Sequence, residues 1–446
     1  MPAPLRQAFV SLRELALTAG PFVLLALLLL GAAYAILDPA PPRHVVLATG
    51  PERSAYAAFG QRYAEYLKRH GITVELRATQ GAAENLGLLR RADSGIDLAF
   101  VQGGADRAYA ESENPDAGLV SLGSLFHEPV WLFYREASAQ RLTGGPKLQA
   151  LAQLEGWRLG VGVPGSGVPP LMLRLLEANR VDPARISMSQ EALTPAVVSL
   201  LEERLDALVL ASAPESPMVQ MLLQTPGIQL FDFAQAEAYA RRFPFLNAVT
   251  LPRGVVDLAR DLPPADVHLV APMATLLARE SLHPALVQLF VQAAQQVHGA
   301  PGWFQRKGDF PHALDAERPL ADEAQRVYRS GTPWLQRYLP FWLANLADRM
   351  WVALLAIVAV LLPLSRVLPP LYEFRIRSRV FRWYGRLRAV EAAVGQRPAA
   401  ELLAELDEID GHAGRISVPL SHADELYALR SHIQLVRRRL QTAQPS

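Results

Sequence analysis

Two long apolar segments divide the chain into three parts. The first, Thr18–Leu37, carries no charge, and the second covers about 348–368. About 20 apolar residues in a helix span the hydrocarbon core of a bilayer, so both segments are predicted to be transmembrane helices. Trp351 lies near the start of the second segment, as in an interfacial belt, and Pro369-Pro370 is expected to mark its end.

Basic residues set the predicted orientation of both helices. Arg6 and Arg13 precede the first helix and Asp38 follows it, which places residues 1–17 in the cytoplasm. Residues 371–446, after the second helix, are likewise predicted to be a cytoplasmic tail, because they begin with a dense run of arginines. These arginines are Arg375, Arg377, Arg379, Arg382, Arg386 and Arg388.

Each apolar segment has an alternative interpretation. Ala33-Tyr34-Ala35 could be the small-x-small cleavage site of a signal peptide, although the apolar stretch is longer than the usual signal core. The second segment could be a buried helix of a soluble domain, but the arginine run beyond it argues against that. We therefore expect residues 43–345 to lie outside the membrane.

The pattern after Arg43 changes to short apolar runs that alternate with amphipathic stretches. Val45-Val46-Leu47 predicts a buried strand, and Thr49-Gly50-Pro51 breaks it. A helix follows, with Ser54 as its N-cap. Its apolar positions recur at helical spacing, and they are Tyr56, Phe59, Tyr63 and Tyr66. A strand, a tight turn and a helix N-terminus together form a natural seat for an anionic group.

The same strand–turn–helix pattern recurs, which predicts a parallel sheet with crossover helices. Ile72–Ala78 and Gly95–Val101 read as further strands, followed by Thr79-Gln80-Gly81 and Gln102-Gly103-Gly104. Ligands bind beyond the carboxyl ends of such strands. The candidate ligand-binding residues here are Thr49, Arg53, Ser54, Tyr56, Thr79, Gln80, Asn85 and Gln102. Arg53 could pair with a carboxylate or phosphate, or it could be an exposed arginine beside Glu52.

A second α/β lobe is predicted for about 131–244. Its strand Gly156–Gly162 leads into a glycine-rich turn in which Ser166 and nearby amides could receive a polar ligand head. Gly160, Gly162 and Gly165 formally match a dinucleotide fingerprint, but the turn is not in the first βα unit, and Asp182 lies in a turn. The first lobe is predicted to comprise about 43–130 and 245–300, including short strands at Phe245–Leu251 and Asp266–Ala271. Pro301–Pro333 is expected to be a wrap or stalk.

Composition excludes several classes of function. The net charge is only +1, so the chain has no overall positive field that would attract nucleic acid. The absence of cysteine excludes thiol nucleophiles, disulfides and Cys-ligated metals. The ten histidines are dispersed, and His127-Glu128 and His268 read as isolated polar groups. A hydrolase on this scaffold would need a nucleophile–base pair, which the sequence does not offer. We expect no enzyme activity and no cofactor.

Five stretches resemble the TAXI-type solute receptors of tripartite ATP-independent periplasmic (TRAP) transporters. They are the first turn, TQGAAENLGLLR, DLAFVQGG, GVGVPGSGV and LDALVLASAP, and the similarity covers about 44–300. It implies a two-lobed, periplasmic-binding-protein-like α/β clamshell on a bacterial inner membrane. It also implies a small organic acid or amino-acid-like solute as ligand and a separate TRAP-type permease as partner.

The tail has its own apolar stripe. Leu426, Leu429, Ile433, Val436 and Leu440 recur at helical spacing in a predicted helix, which either packs in a helical hairpin or docks a partner. Two membrane anchors and such a tail are unusual for a shuttling receptor. The alternative function is therefore a ligand sensor or scaffold that signals through its cytoplasmic tail.

Overall fold

The computed structural model describes residues 20, 22–37, 40–52, 54–105, 118–313, 317–332, 334–414 and 423–442. Two compact units contain them. Pro39–Ala347 forms one unit, and the described parts of Met1–Asp38 and Asp348–Ser446 form the other. The predicted cytoplasmic residues 1–17 lie outside the described residues, as does Arg53.

Three parallel strands form the centre of the first sheet. β1 (His44–Ala48) pairs with β2 (Thr73–Arg77) and with β3 (Leu98–Gln102). α2 (Ala55–Lys68) and α3 (Ala82–Arg90) connect these strands. This arrangement is the one that alternating apolar strands and amphipathic helices predict.

The rest of the first sheet comes from later in the chain. β4 (Leu119–His127), β10 (Leu246–Leu251) and β11 (Val267–Arg279) complete it in the order β10-β11-β3-β1-β2, with β4 also paired to β11. The predicted strand Asp266–Ala271 is wrong in length, because β11 continues through Pro272. That proline stands where the ladder with β10 ends and the ladder with β4 begins, so its missing N–H is tolerated.

Only two residues separate the end of β4 from the next strand, which belongs to the second sheet. β5 (Val130–Arg135) pairs antiparallel with β8 (Ala207–Ala211) and β9 (Ile228–Leu230). β6 (Arg158–Gly160) runs parallel to β8 and to β7 (Ser187–Ser189), and the strand order is β7-β6-β8-β5-β9. We call the parts of the chain built on the first and second sheets the first lobe and the second lobe.

Four helices pack on the second sheet, and they are α4 (Glu136–Thr143), α5 (Val168–Ala178), α6 (Leu193–Leu201) and α7 (Pro217–Leu223). The next helix, α8 (Ala236–Arg242), contacts β10 and β11. Short 3-10 turns occupy Ala92–Ser94, Leu151–Leu154, Pro183–Arg185 and Trp334–Arg337. Trp131 and Trp157 are fully buried in the apolar core of this lobe.

The core of the first lobe joins α2 to a later helix. Tyr63 of α2 packs on Phe100 of β3 and on Phe290 of α9 (Pro284–His298). The stretch predicted as a wrap or stalk contains a helix as well, α10 (Asp322–Ser330). Its short apolar face was too sparse to predict a helix, yet it is buried in this core.

The second unit is helical. α1 (Phe22–Leu37) is a shorter apolar helix, and α11 (Phe341–Ala392) includes, over Phe341–Val367, the one described segment that is long and apolar enough to cross a membrane. Only 6% of that segment's most apolar window is buried, unlike the core helix of a soluble protein. The helix does not end at Pro369-Pro370 as predicted. Proline keeps φ near about −65°, which is helical, so the pair costs hydrogen bonds without turning the chain out of α11.

The C-terminal helices cover the apolar stripe of the tail. α12 (Ala399–Ala413) and the last part of α11 pack against α13 (Ala423–Thr442). The buried residues of the stripe are Leu429, Ile433, Val436 and Leu440. Of the two interpretations of this stripe, the packing favours a helical bundle formed by the tail itself.

Candidate functional site

The turn between β1 and α2 presents a helix N-terminus. Ser54 has extended backbone angles, and its Oγ accepts a hydrogen bond from Ala57 N at 3.2 Å, as an N-cap does. A Cβ on Gly50 would lie 2.8 Å from Ser54 Oγ, so glycine lets the turn close on the cap. The first amides of α2, those of Ala55 and Tyr56, have no acceptor within the helix.

Three of the predicted ligand-binding residues bond to one another and to the backbone. Thr79 Oγ1 lies 3.0 Å from Thr49 O and 2.7 Å from Asn85 Oδ1. Asn85 Nδ2 donates to Thr49 O at 2.5 Å and to Phe100 O at 2.8 Å. All three side chains are buried. They tie the carboxyl ends of the strands to the start of α3, and they do not line a cavity.

The glycine-rich turn of the second lobe packs directly on the first lobe. Glu84 N, at the start of α3, donates to Gly165 O at 3.0 Å. A Cβ on Gly165 would lie 2.5 Å from Gln80 Cβ, and one on Gly167 would lie 2.4 Å from Gln102 Oε1. Glycine at 165 therefore lets the two lobes approach so closely, whereas a side chain at 167 would displace the Gln102 amide.

A cavity of about 180 Å³ lies between the lobes at these turns, and we call it the strand-end cavity. Five of the predicted residues line it, whereas Thr49, Thr79 and Asn85 do not. The five are Ser54, Tyr56, Gln80, Gln102 and Ser166. From the second lobe, the last residues of β8 and the start of α6 complete the lining. Ser166 Oγ donates to Val163 O at 2.8 Å, so its hydrogen is already used.

Gln102 and Glu128 bring unused hydrogen-bonding atoms to the strand-end cavity. The Gln102 side chain is 3% exposed, and its Nε2 has no hydrogen-bond partner in the described part of the chain. Glu128 is 4% exposed, and its Oε2 accepts from Tyr56 Oη at 2.7 Å. No described residue donates to Glu128 Oε1. A buried polar atom without a partner is costly, which is typical of a site that receives a ligand.

Glu128 is a candidate site residue that sequence reasoning missed. Burial raises the pKa of its carboxyl to about 8, although the hydrogen bond from Tyr56 lowers it in part. At neutral pH this carboxyl therefore holds a proton. The signal in the sequence was a charged residue inside the apolar run Leu119–Tyr134, at the point where the chain passes between the lobes.

A larger cavity of about 900 Å³ adjoins the first and shares lining residues with it, among them Ser54 and Ser216. We call it the aromatic cavity. Its wall carries rings and a few charged groups, namely Phe59, Phe126, His127, His298, Trp303, Phe304, Glu52, Arg62 and Glu215.

Two histidines of the aromatic cavity stay neutral. His298 is buried against Phe59 and Phe126, with ring centroids 4.6 and 5.2 Å apart. Burial, with the nearby charge of Arg62, lowers the pKa of His298 to about 3. Burial likewise lowers the pKa of His127 to about 4. In the described residues, no three His, Asp or Glu side chains gather as a metal site would require.

Solved structures that are similar to this chain share little sequence identity with it, as three examples show. A protein from Bordetella bronchiseptica RB50 is 15% identical over 65% of this chain and 98% of its own, with a TM-score of 0.44. The periplasmic aliphatic sulphonate binding protein SsuA from Escherichia coli is 16% identical over 72% and 83%, with a TM-score of 0.35. MatC from Rhodopseudomonas palustris with bound malate is 14% identical over 71% and 99%, with a TM-score of 0.38.

Comparison of the sequence with protein families gives a match over more than half of the chain. The model of the NMT1-like family matches residues 47–301. This range contains both sheets except the first three residues of β1, every lining residue of the strand-end cavity and most of the aromatic cavity. The comparison with curated proteins found no match.

Proposed function

Because the chain belongs to the NMT1-like family, we propose that it is a membrane-anchored receptor that captures a small organic solute between its two lobes. Its α/β fold is periplasmic-binding-protein-like. The observation that carries the proposal is the buried Gln102 amide nitrogen, which has no partner in the described part of the chain, beside the buried Glu128 carboxyl group in the strand-end cavity. A mostly apolar cavity with a few convergent polar groups is the usual form of a small-molecule site.

The donors of the cavity suit an acidic group on the solute. Gln102 Nε2 is a free amide donor, and the Ser54 hydroxyl hydrogen is not used in any bond to the described residues. The first amides of α2 add the positive end of a helix dipole. A carboxylate placed at this end of the cavity would be held by hydrogen bonds alone, without a cationic side chain from the described lining.

The transport role is the more specific part of the proposal. A TAXI-type receptor delivers its solute to a TRAP-type permease, and the two apolar segments of this chain are too few to form one. The permease is therefore a separate chain. In the proposed topology α1 and α11 are anchors in the bacterial inner membrane, residues 43–345 are periplasmic and residues 371–446 are cytoplasmic. The arginines after the apolar segment of α11 support this orientation.

A sensor role is the second candidate, and one contact favours it. α2 begins at the strand-end cavity with its cap Ser54, and His70 just beyond its other end contacts Phe341, with ring centroids 5.7 Å apart. Phe341 is the first residue of α11. A change at the cavity that moved α2 would therefore reach the helix that enters the membrane.

Co-purification of a solute tests the receptor role. The full chain is purified in detergent without denaturation and then analysed by native mass spectrometry. We expect a small organic molecule bound at one per chain. We further expect Gln102→Ala to reduce its occupancy at least tenfold, since the substitution removes the free amide donor of the cavity.

Gln61→Ala is the matched control, because Gln61 is exposed on α2 and lines neither cavity. It should retain the solute. The receptor role is wrong if no solute co-purifies and a panel of carboxylates, amines and amino acids also fails to raise the melting temperature. Equal occupancy in the wild type and in Gln102→Ala would place the solute outside the strand-end cavity.

A further inference from the structure

The strand-end cavity has an acidic wall. Its ionisable carboxyl groups are those of Glu128 and Glu191, and its described lining contains no lysine, arginine or histidine. Glu191 accepts hydrogen bonds from Ser189 Oγ at 2.8 Å and Ser199 Oγ at 2.9 Å, and these bonds lower its pKa. It is therefore ionised at neutral pH. An anion alone would meet this wall without a compensating cation.

Glu128 is placed to receive a donor from the solute. Its backbone N–H donates to Pro272 O at 2.9 Å, and its Oε2 takes the Tyr56 hydroxyl, so both anchors hold the carboxyl group in one orientation. Oε1 is left for the cavity. Tyr56 itself is 6% exposed and stacks on Phe100, with ring centroids 5.2 Å apart. The group that orients Glu128 is thus fixed in turn by the core of the first lobe.

We propose that the solute carries a protonated basic nitrogen, as in an amine, amidine or guanidine, and that this nitrogen donates to Glu128 Oε1. This inference rests on the proposed receptor function and names the chemistry of its solute. A cation in a cavity screened from water gains far more from a carboxylate than it would in solution. Glu128 is then the specificity-determining residue, and Gln102 and Ser54 bind whatever acceptor the solute also carries.

Binding should release a proton. The empty site holds a proton on Glu128, whereas a bound cation stabilises the carboxylate, so the proton leaves to solvent as the solute enters. The other groups near the site are Tyr56, which bonds to Glu128, and Glu191 on the same wall. The aromatic cavity adds Glu52, Arg62, His127, Glu215 and His298. His127 and His298 are neutral already, so they release no proton at pH 7.

Four matched probes test the proposal on the full chain in detergent by isothermal titration calorimetry. Butylamine offers the nitrogen alone, butyrate the carboxylate alone, 4-aminobutyrate both and butyramide neither. We expect the two ammonium probes to bind at least tenfold more tightly than their counterparts without the ammonium group. Titration at pH 7 in buffers of different ionisation enthalpy should show close to one proton released per bound ammonium probe.

Two variants separate the role of Glu128 from a general effect of charge. Glu128→Gln keeps the size of the side chain but cannot form the carboxylate, so the preference for ammonium probes and the proton release should both disappear. Glu215→Gln, an exposed glutamate of the aromatic cavity, should change neither.

The outcomes distinguish this inference from the receptor function. Tight binding of butyrate or butyramide with no preference for ammonium would overturn the inference and leave the receptor intact. Binding of the ammonium probes to the wild type without proton release would also overturn the inference and leave the receptor function intact. This measurement does not depend on whether Glu128→Gln folds. If no probe binds and no solute co-purifies, both proposals are wrong.

Discussion

Burial decides the charge of single residues around the two cavities. His298 is stacked among aromatic rings, and its Nε2 has no partner in the described part of the chain. A protonated imidazole there would be an uncompensated charge, which is why its pKa is about 3 in the folded chain. The side chain thus behaves as a flat, polarisable part of the core.

His298 should make the first unit acid-labile. In the unfolded chain a histidine takes up its proton near pH 6.5, whereas the folded chain resists protonation until about pH 3. The stabilising contribution of neutral His298 is therefore fully present above pH 6.5, and it is lost progressively as the pH decreases toward 3. Between pH 7 and pH 5, this difference in protonation lowers the free energy of unfolding by about 2 kcal/mol.

Denaturant unfolding at the two pH values measures this loss. In His298→Phe the loss between pH 7 and pH 5 should be smaller by about that amount, since the titrating group is gone. His312→Asn, which changes an exposed histidine, should show the same loss as the wild type. An unchanged pH dependence in His298→Phe would mean that His298 is not the titrating group.

Some residue roles could be predicted from sequence and others could not. The Ser54 cap follows from local rules, because its bond spans three residues. The strand-end positions of Thr49 and Thr79 also followed from the alternating pattern, as did the position of Asn85 in the next helix. Their bonding to one another depends on the register between strands, which sequence does not display. Glu128 meets Tyr56 across 72 residues of sequence, so its role emerges only in the folded chain.

At the scale of elements, the two opposing turns position the cavity. The turn after β6 brings Gly165 and Gly167 against Gln80 and Gln102 of the first lobe. Glycine spacing alone formally matched a dinucleotide fingerprint. Of the three glycines in that match, Gly165 packs against the facing lobe, where a Cβ would lie 2.5 Å from Gln80 Cβ, whereas Gly160 packs on leucines of its own lobe.

Gly167→Ala should displace Gln102 from the cavity. The added Cβ would lie 2.4 Å from Gln102 Oε1, and the flexible amide can move away at little cost to stability. We expect at least a tenfold loss of occupancy of the co-purified solute, with a change of less than about 1 kcal/mol in the free energy of unfolding.

Gly87→Ala, in the first lobe, supplies the control. Gly87 lies inside α3, and a Cβ there meets nothing within 4 Å. Replacing a helical glycine by alanine should raise stability by about 0.5 to 1 kcal/mol and leave solute occupancy unchanged. Equal occupancy in both variants would show that the position of the Gln102 amide does not matter for capture.

Hydrophobic periodicity located most elements but not all of their ends. It placed α2, α3 and the strands of both lobes, because burial of one face leaves a repeating pattern. The predicted strand ended before Pro272, and the predicted membrane helix ended at Pro369-Pro370, because proline normally ends strands and helices. The structure continues through both sites, where neighbouring strands change or where the helix retains its φ angle.

At the scale of the whole molecule, the described residues fall into two compact units. Pro39–Ala347 contains both cavities, and the remaining described residues form the apolar helices and the tail bundle. The family match over 47–301 lies within the first of these units. It therefore supports the receptor function and says nothing of the side of the membrane on which the tail lies, which has to be tested separately.

The chain contains no cysteine, so a single introduced cysteine reports the side on which it lies. Ala265 in the first unit and Ala428 on α13 are both exposed and suit this purpose. In cells stripped of the outer membrane, a membrane-impermeant maleimide should label Ala265→Cys directly. It should label Ala428→Cys only after permeabilisation, because in the proposed topology the arginine-rich start of the tail lies on the cytoplasmic side. Labelling of Ala428→Cys before permeabilisation would contradict the proposed topology of α11. The tail could then not contact a cytoplasmic partner.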